Sequence, residues 1–279
     1  MRVNNELPGV PGGPGSGGGG RRRLPPQLVE VVAVARLTPR LVSVTVSGGD
    51  LSRFGEAAPT SHIKVFLPVP GQAAPTLPII TPEGRVWPDN EPRPTVRTYT
   101  PRSFDRAANT LEVQFVLHGE GPASEWAQRV QVGDTLAIGG PGGRFAADLS
   151  TPRWWIAGDE SALPAVGTLL DALPASVQAE VHLEVAGPDD ELALSSAAKA
   201  TIHWHHRRDP QGFGVELIEA AERGAINPDT QVWVACEASA MRRIRRLLLD
   251  RGVPGASLVT RGYWRRGVAD HPDHDYGDD

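Results

Sequence analysis

The spacing of apolar positions changes once along the chain, near residue 150, and that change divides it into two halves. Residues 28–145 carry short β-branched runs at 29–37, 42–46, 62–67, 96–100, 111–117 and 135–138, each broken by Gly, Pro or Asp. Six such runs with turn residues between them predict a six-stranded antiparallel β-barrel over 24–149. The proline-dense stretch 68–94 interrupts the strands and reads as one long loop. Beyond residue 150 the buried-type run Trp154-Trp155-Ile156-Ala157 is followed by a helical pattern at 163–173, strands at 179–185 and 201–205, a helix at 214–223 and a strand at 231–235. The strongest helical stripe is 238–251, where Met241, Ile244, Leu247 and Leu248 share one face and Arg242, Arg243, Arg245 and Arg246 lie largely on the other. Strands alternating with helices predict a Rossmann-like parallel α/β domain over 150–268. Residues 1–23, rich in Gly, Pro and Arg, cannot bury enough apolar surface to order themselves, and 269–279 form an acidic tail.

With 40% hydrophobic and 22% charged residues among 279, the chain has apolar surface for two cores. Its formal net charge of -5 argues against general nucleic-acid binding, so any basic site is local. Among 28 basic residues only Lys64 and Lys199 are lysines, which makes arginine clusters weak evidence and a lysine inside a strand more informative. Cys236 is the sole cysteine; it excludes an intrachain disulfide and a four-cysteine iron-sulfur cluster, leaves no cysteine set for a resident metal, and fits a reducing cytoplasm. No apolar run reaches the roughly 20 residues of a membrane span, and the N-terminus lacks the apolar core of a secretory signal. A cytoplasmic monomer with no membrane or nucleic-acid partner is the expectation.

Candidate chemistry concentrates at five places. Arg97-Thr98-Tyr99-Thr100 lies in the fourth predicted strand. Alternation puts Arg97 and Tyr99 on one face, so a guanidinium can meet a phosphate while a phenol ring lies against a flavin and Thr100 reaches a ring nitrogen; an ordinary strand with one exposed Arg is the competing reading. His118-Gly119-Glu120-Gly121-Pro122-Ala123-Ser124 leads from a strand into a helix start. Its glycines let backbone approach a pyrophosphate and its free amides attract the charge, while Ser124 serves equally as an N-cap. Asp159-Glu160-Ser161-Ala162 follows the first strand of the second domain, where α/β domains bind nucleotides. Two acids there repel a bare phosphate, so ribose, adenine or nicotinamide contacts fit better, and helix capping by Asp159 or Ser161 fits too. Cys236-Glu237 ends the strand at 231–235, at the same carboxyl edge. His203, His205, His206, Arg207 and Arg208 could hold a 2'-phosphate or a metal, or be solvated charge after a strand; Gly262-Tyr263-Trp264-Arg265-Arg266-Gly267 suits a planar or anionic ligand, or a strand docking aromatics into a core.

The order of these elements resembles the ferredoxin-reductase-like flavoenzymes. The wording of His62-Ile63-Lys64, Arg97-Thr98-Tyr99-Thr100-Pro101-Arg102, Phe115-Val116-Leu117-His118-Gly119 through Trp126-Ala127, Gly139-Gly140-Pro141-Gly142-Gly143, Gly158 to Ala165, and Gly262-Tyr263-Trp264-Arg265 is similar to the siderophore-interacting protein family over roughly residues 28–268. The resemblance implies an FAD barrel, an NAD(P)H domain with NADPH or NADH as donor, and reduction of a ferric siderophore, the iron belonging to the substrate. It implies that Tyr99 and Thr100 act on the flavin, that Arg97, Thr98, His118, Gly119, Gly121, Ala123 and Ser124 hold FAD, and that Asp159, Glu160, Ser161 and Ala162 form the nucleotide turn; Cys236 and Glu237, at the carboxyl edge of the sheet, are expected beside the same cofactor. A basic pocket for an acidic ferric complex would use Lys64, Arg144 and Arg261 or Arg265. The chain departs from the family at Ala235-Cys236-Glu237, where Ala-Gly-Glu is more usual, which puts a side chain near the expected nicotinamide. An electron-donor protein is a further partner the reading allows; a flavin reductase donating electrons to a protein or free flavin, and a non-catalytic siderophore-binding FAD protein, are the rival readings.

Overall fold

The structure, a computed structural model, describes residues 25–55, 57–81, 84–118, 121–143, 148–269, 271 and 276. Gly119 and Arg144 lie outside the described residues, as do 1–24 and most of the acidic tail. The first half comprises β1 (Gln27–Thr38), β2 (Leu41–Ser47), β3 (His62–Leu67), β4 (Ile79–Thr81), β5 (Gly84–Val86), β6 (Thr95–Tyr99), β7 (Pro101–Asp105), β8 (Thr110–Val116), helix α1 (Pro122–Arg129) and β9 (Thr135–Gly142). Seven strands form one antiparallel sheet in the order β6-β3-β9-β1-β2-β8-β7.

The two edge strands are consecutive in the chain, separated only by Thr100. The sheet therefore curls until its edges meet, and the fourth predicted strand is one bent segment that exchanges β3 for β8 as its partner at Thr100. Pro101, which has no N–H to donate, starts the second half of the bend, and a register shift follows it between Pro101 and Ser103. Six chain segments thus build the barrel, with the hydrogen-bonded ladder left open between β6 and β7. Inward residues fill it: Val44, Val46, Ile63, Val65, Leu111 and Phe115 are fully or almost fully buried. The stretch 68–94 is not all loop, since β4 and β5 pair as a separate hairpin. Period-two alternation over three residues is too short to stand out among prolines.

The second half comprises β10 (Arg153–Asp159), α2 (Leu163–Ala172), β11 (Gln178–Val185), β12 (Lys199–His206), α3 (Val215–Arg223), β13 (Gln231–Glu237), α4 (Ala238–Asp250) and β14 (Leu258–Trp264). All five strands are parallel, in the order β12-β11-β10-β13-β14. Helix α2 packs with Trp154, Ile156 and Trp233 on one face, while α3 and α4 pack with Trp155, Val232 and Val234 on the other. Cover on both faces explains why β10 and β13 are continuously apolar. Strand order reverses between β10 and β13, so their carboxyl ends open a crevice.

The halves are joined by apolar and polar contacts. Leu41 and Val116 of the barrel pack into the α2-side core. Arg40 pairs with the buried Asp190 at 2.8 Å, Arg102 pairs with Asp171 at 2.6 Å, and the Thr60 N–H donates to Thr168 Oγ1 at 3.0 Å.

Candidate functional site

A cavity of about 910 Å³ lies at this junction, lined from both halves. The barrel supplies Arg97, Thr98, Tyr99 and Thr100 from the bend between β6 and β7, and His118, Gly121, Ala123 and Ser124 from the loop into α1. The α/β half supplies Asp159, Glu160 and Ser161 after β10 and Arg261, Tyr263, Trp264 and Arg265 from β14 and its end. The bend places this strand at the domain boundary. Thr100 is buried there and contacts Tyr263 from the other half, whose phenol burial pushes up to about 12.

Tyr99 packs its ring against Phe115 at 4.4 Å between centroids and a tilt of 45°, and Phe115 packs against Trp126 at 5.3 Å and 50°, so the barrel core holds the phenol in place. Burial raises the Tyr99 hydroxyl's pKa, with nearby Arg97 opposing, and the phenol stays protonated in the neutral range. The Arg97 guanidinium donates to the Val96 carbonyl at 2.8 Å. Helix α1 starts at Gly121, three residues before Ser124. Gly121 has φ 136°, a conformation that L side chains rarely adopt, and Pro122 follows at the first helical position, where its missing N–H costs nothing. Glu125 reaches back to accept from the Gly121 N–H at 3.4 Å, so Ser124 is left to line the cavity instead of capping.

The opposite wall is acidic and stapled. Asp159 Oδ1 accepts from the Ser161 N–H at 3.0 Å and the Ser161 hydroxyl at 2.5 Å, while Oδ2 accepts from the Glu237 N–H at 3.0 Å and the Trp264 indole at 2.8 Å. One carboxylate therefore ties together the carboxyl ends of β10, β13 and β14. Burial, reinforced by Glu160, pushes Asp159 up to about 6. Glu160 is gripped by the Arg207 fork, one arm at 2.7 Å, and Arg207 also lies 3.6 Å from the fully buried Glu184. Glu184 accepts from the Gly214 N–H at 2.8 Å and is pushed up to about 7, mainly by burial. Arg207 is thus a buried structural cation and not solvated charge after a strand; the intervening pairing partners on β10 and β11 are not adjacent in sequence.

Several predicted residues stand behind the walls. Glu237 caps α4, accepting from the Ser239 and Ala240 N–H groups at 2.7 and 3.1 Å. Ala162 is buried in the α2-side core. Cys236 has no exposed surface and packs in the α3 and α4 core, where burial drives its thiol pKa well up. The expected proximity of its side chain to a cleft ligand is therefore not met, because alternation along β13 turns it into the core. Lys64 does not line the cavity; it is the cross-strand partner of Thr98 and donates Nζ to Thr98 Oγ1 at 2.6 Å.

His62 is a cavity residue whose role the sequence motif alone does not disclose. Its ring lies against Gly142, where an added Cβ would come within 2.7 Å of Nε2, and against Gly143. The glycine run is thus a cradle for an imidazole. Gln114, Arg40 and Arg266 also line the cavity. They come from three separate elements and only tertiary packing assembles them.

These features fit a flavin dinucleotide. The cavity is large enough, its barrel side combines Arg97 with the open start of α1 for phosphates, and Tyr99 with Thr100 offers a flat ring beside a hydroxyl. The acidic wall suits sugar or ring contacts. A barrel of this kind joined to a parallel sheet of this order defines the two-domain, ferredoxin-reductase-like fold class.

Within that class the chain belongs to the siderophore-interacting protein family: residues 30–145 match the siderophore-interacting FAD-binding domain and 151–267 match the siderophore-interacting protein domain. It is 32% identical over 260 residues to ferric vibriobactin reductase ViuB of Vibrio cholerae, a match covering 91% of this chain and 94% of that protein. It is 29% identical over 237 residues to the NADPH-dependent ferric-chelate reductase of Escherichia coli, covering 84% of this chain and 91% of the other. A siderophore utilization protein from T. fusca superposes with a TM-score of 0.78 at 32% identity, over 91% of this chain and all of that one.

Proposed function

We propose that this protein is an FAD-dependent, NAD(P)H-driven ferric-siderophore reductase that releases iron from its chelate by reducing it. The observation that carries the reading is the junction cavity, in which the Arg97–Thr100 strand, the start of α1 and the stapled ends of β10 and β14 face one another. FAD held there would supply acceptance of a hydride from the nicotinamide and one-electron transfer to Fe(III).

The chain's own work is binding, orientation and exclusion of water. Arg97, with the amides of Ala123 and Ser124, holds the flavin phosphates; Tyr99 and Thr100 set the ring, with His118, Gly119 and Gly121 completing the loop. Thr98 shares that strand. Asp159, Glu160 and Ser161 face the nicotinamide half, with Ala162, Cys236 and Glu237 supporting them from behind. Arg261 and Arg265, joined by Lys64 beside Thr98 at the rim and by Arg144, attract a negatively charged ferric complex. No general acid or base is needed for electron transfer to a chelated metal. We place the protein in the cytoplasm as a monomer. Among the described residues no helix is long and apolar enough to cross a membrane.

Anaerobic mixing with NADPH and then a ferric siderophore tests this. The yellow protein should bleach with NADPH and regain colour on addition of the chelate. Failure to bleach leaves a non-catalytic flavoprotein, and bleaching without reoxidation by the chelate leaves a reductase for a protein or free flavin. Single turnover with Lys64→Ala addresses the rim: an unchanged dependence on chelate concentration removes Lys64 from it.

A further inference from the structure

The cysteine count predicts no resident metal, yet β11 and β12 assemble a different donor set away from the cavity. The two strands are parallel neighbours with His182 opposite His203 and Glu184 opposite His205. Alternation therefore puts Glu180, His182, His203 and His205 on one face of the sheet. The rings stack: His182 lies 4.8 Å from His203 and 5.2 Å from His205 between centroids, with interplanar angles of 16° and 17°. His182 Nε2 is 3.0 Å from Glu180 Oε1, and His203 Nε2 is 3.9 Å from the same oxygen. One donor atom from each of Glu180, His182 and His203 lies within 4.8 Å of the other two. None of these residues lines the junction cavity.

We propose that Glu180, His182 and His203 form a binding site for one divalent first-row transition-metal ion. Two imidazoles and a carboxylate are the donors that zinc and ferrous ions take, with the remaining positions left to water. Bonds of about 2.0–2.2 Å to such donors span edges of roughly 3–3.5 Å. The 3.0 Å edge already meets this, and the 3.9 Å edge and the His182–His203 edge, which is within 4.8 Å, close by rotations of Glu180 and His203, whose side chains are 49% and 45% exposed. Their exposure also gives the ion a way in. His182 is 8% exposed and fixed from behind: its Nδ1 lies 2.9 Å from His205 Nε2, and Trp155 packs 5.3 Å from its ring. That is the arrangement of a ligating histidine, one nitrogen at the metal and the other held by a partner that sets the tautomer. Without an ion, the His182 Nε2 to Glu180 contact is a hydrogen bond; with an ion at Nε2 the ring takes its other neutral tautomer, the proton standing on Nδ1 and facing His205 Nε2. The site stands apart from the chemistry proposed for the junction and does not depend on it.

Zinc alone is the probe. The flavin-loaded full-length protein, stripped with a chelator, is titrated with Zn²⁺ against a chromophoric indicator and followed by thermal unfolding. One equivalent should bind and raise the Tm, and Mg²⁺ should do neither. Glu180→Gln and His203→Ala, which change exposed side chains, should each weaken binding at least about tenfold and abolish the Tm shift while leaving the flavin spectrum intact. His205→Leu should weaken it to a similar degree and His205→Gln, which can still hold Nδ1, should restore it. His206→Ala, which alters a separate exposed pair with Glu191, should bind as the parent does. Anaerobic Fe²⁺ competing for the same equivalent extends the assignment to ferrous iron, and failure to compete restricts it to zinc-like ions. The proposal is overturned if less than one equivalent binds, or if both Glu180→Gln and His203→Ala bind zinc as tightly as the parent.

Discussion

The Trp264 indole donates to Asp159 Oδ2 at 2.8 Å, and the Glu237 N–H donates to the same oxygen at 3.0 Å. These bonds connect the last strand of the sheet to its first across the reversal point, so the acidic wall of the cavity depends on both donors. Trp264→Phe removes one donor and preserves most of the ring packing. Urea unfolding should show a loss of about 1–3 kcal/mol, the range for a hydrogen bond to a charged group. Pre-steady-state flavin reduction should show weaker saturation with NADPH, because the nicotinamide side of the cleft loosens.

Stability should also fall as pH rises through the titration of Asp159. Its folded pKa is raised from 3.8 to about 6, mainly by burial and then by Glu160. The stability is fully present below pH 3.8, where both folded and unfolded forms are protonated, and is lost as the pH climbs through 6 because the charged form is disfavoured in the fold. A shift of this size corresponds to roughly 3 kcal/mol across that window. Asp159→Asn removes the titration, and whatever it costs in hydrogen bonds is independent of pH. Unfolding midpoints at pH 4 and pH 7.5 should therefore converge in the variant relative to the parent. Parallel curves for the two proteins would contradict the raised pKa.

What was legible in the chain follows the range of the interactions concerned. Arg97 to Thr100 could be read because strand alternation is local, and their faces are set by neighbours two residues away. The bend at Thr100 could not, since it depends on which edges of the sheet are brought together. Capping by Asp159 or Ser161 was legible for the same local reason; Asp159 is the cap, Ser161 is its donor, and both also line the cavity. Arg207 was misjudged from sequence because a cation's role depends on a partner, and Glu160 lies 47 positions from it in the chain; the Lys64 bond to Thr98 spans 34 positions and is equally hidden from local pattern. The histidine stack needs the β11–β12 register, which no motif encodes.

Cys236 provides a direct check on the turned-in end of β13. With no exposed surface and a thiol driven above its ordinary pKa by burial, it should resist a thiol reagent such as 5,5'-dithiobis(2-nitrobenzoate) in the native state and react stoichiometrically in denaturant. Cys236→Ala should cost about 1 kcal/mol through lost packing and leave the rate of flavin reduction by NADPH within about twofold, since the next atoms at the cleft belong to other residues. A fast native reaction, or a large change in that rate, would place the sulfur at the cleft.

The Glu160–Arg207 pair is expected to be strongly coupled. Their side chains are 11% and 6% exposed, and Arg207 also serves Glu184. Arg207→Met strands two buried carboxylates and should cost about 3–5 kcal/mol. Glu160→Gln with Arg207→Met removes one of those charges, so the double variant should be more stable than the sum of the two single losses predicts. Chemical denaturation of the four proteins reads the coupling directly; additive losses would show that the pair contributes no mutual stabilisation.

Gly142 separates the fold from its ligand more sharply than any other position in the barrel. It is the last residue of β9, and a Cβ built there comes within 2.7 Å of His62 Nε2 and 3.3 Å of Cδ2, with no backbone atom among its nearest contacts. Its φ lies outside the left-handed region, so alanine incurs no backbone strain and the imidazole alone must give way. His62 lines the cavity, and a displaced ring has the cavity itself to move into. Gly142→Ala should therefore unfold within about 1 kcal/mol of the parent, as a change relieved by a side-chain rotation does. The same variant should bind FAD at least about tenfold more weakly when apoprotein is titrated and flavin fluorescence is followed. Loss of stability without loss of flavin would mean that the ring turns away from the cavity, and that the glycines serve only the packing of β3 on β9.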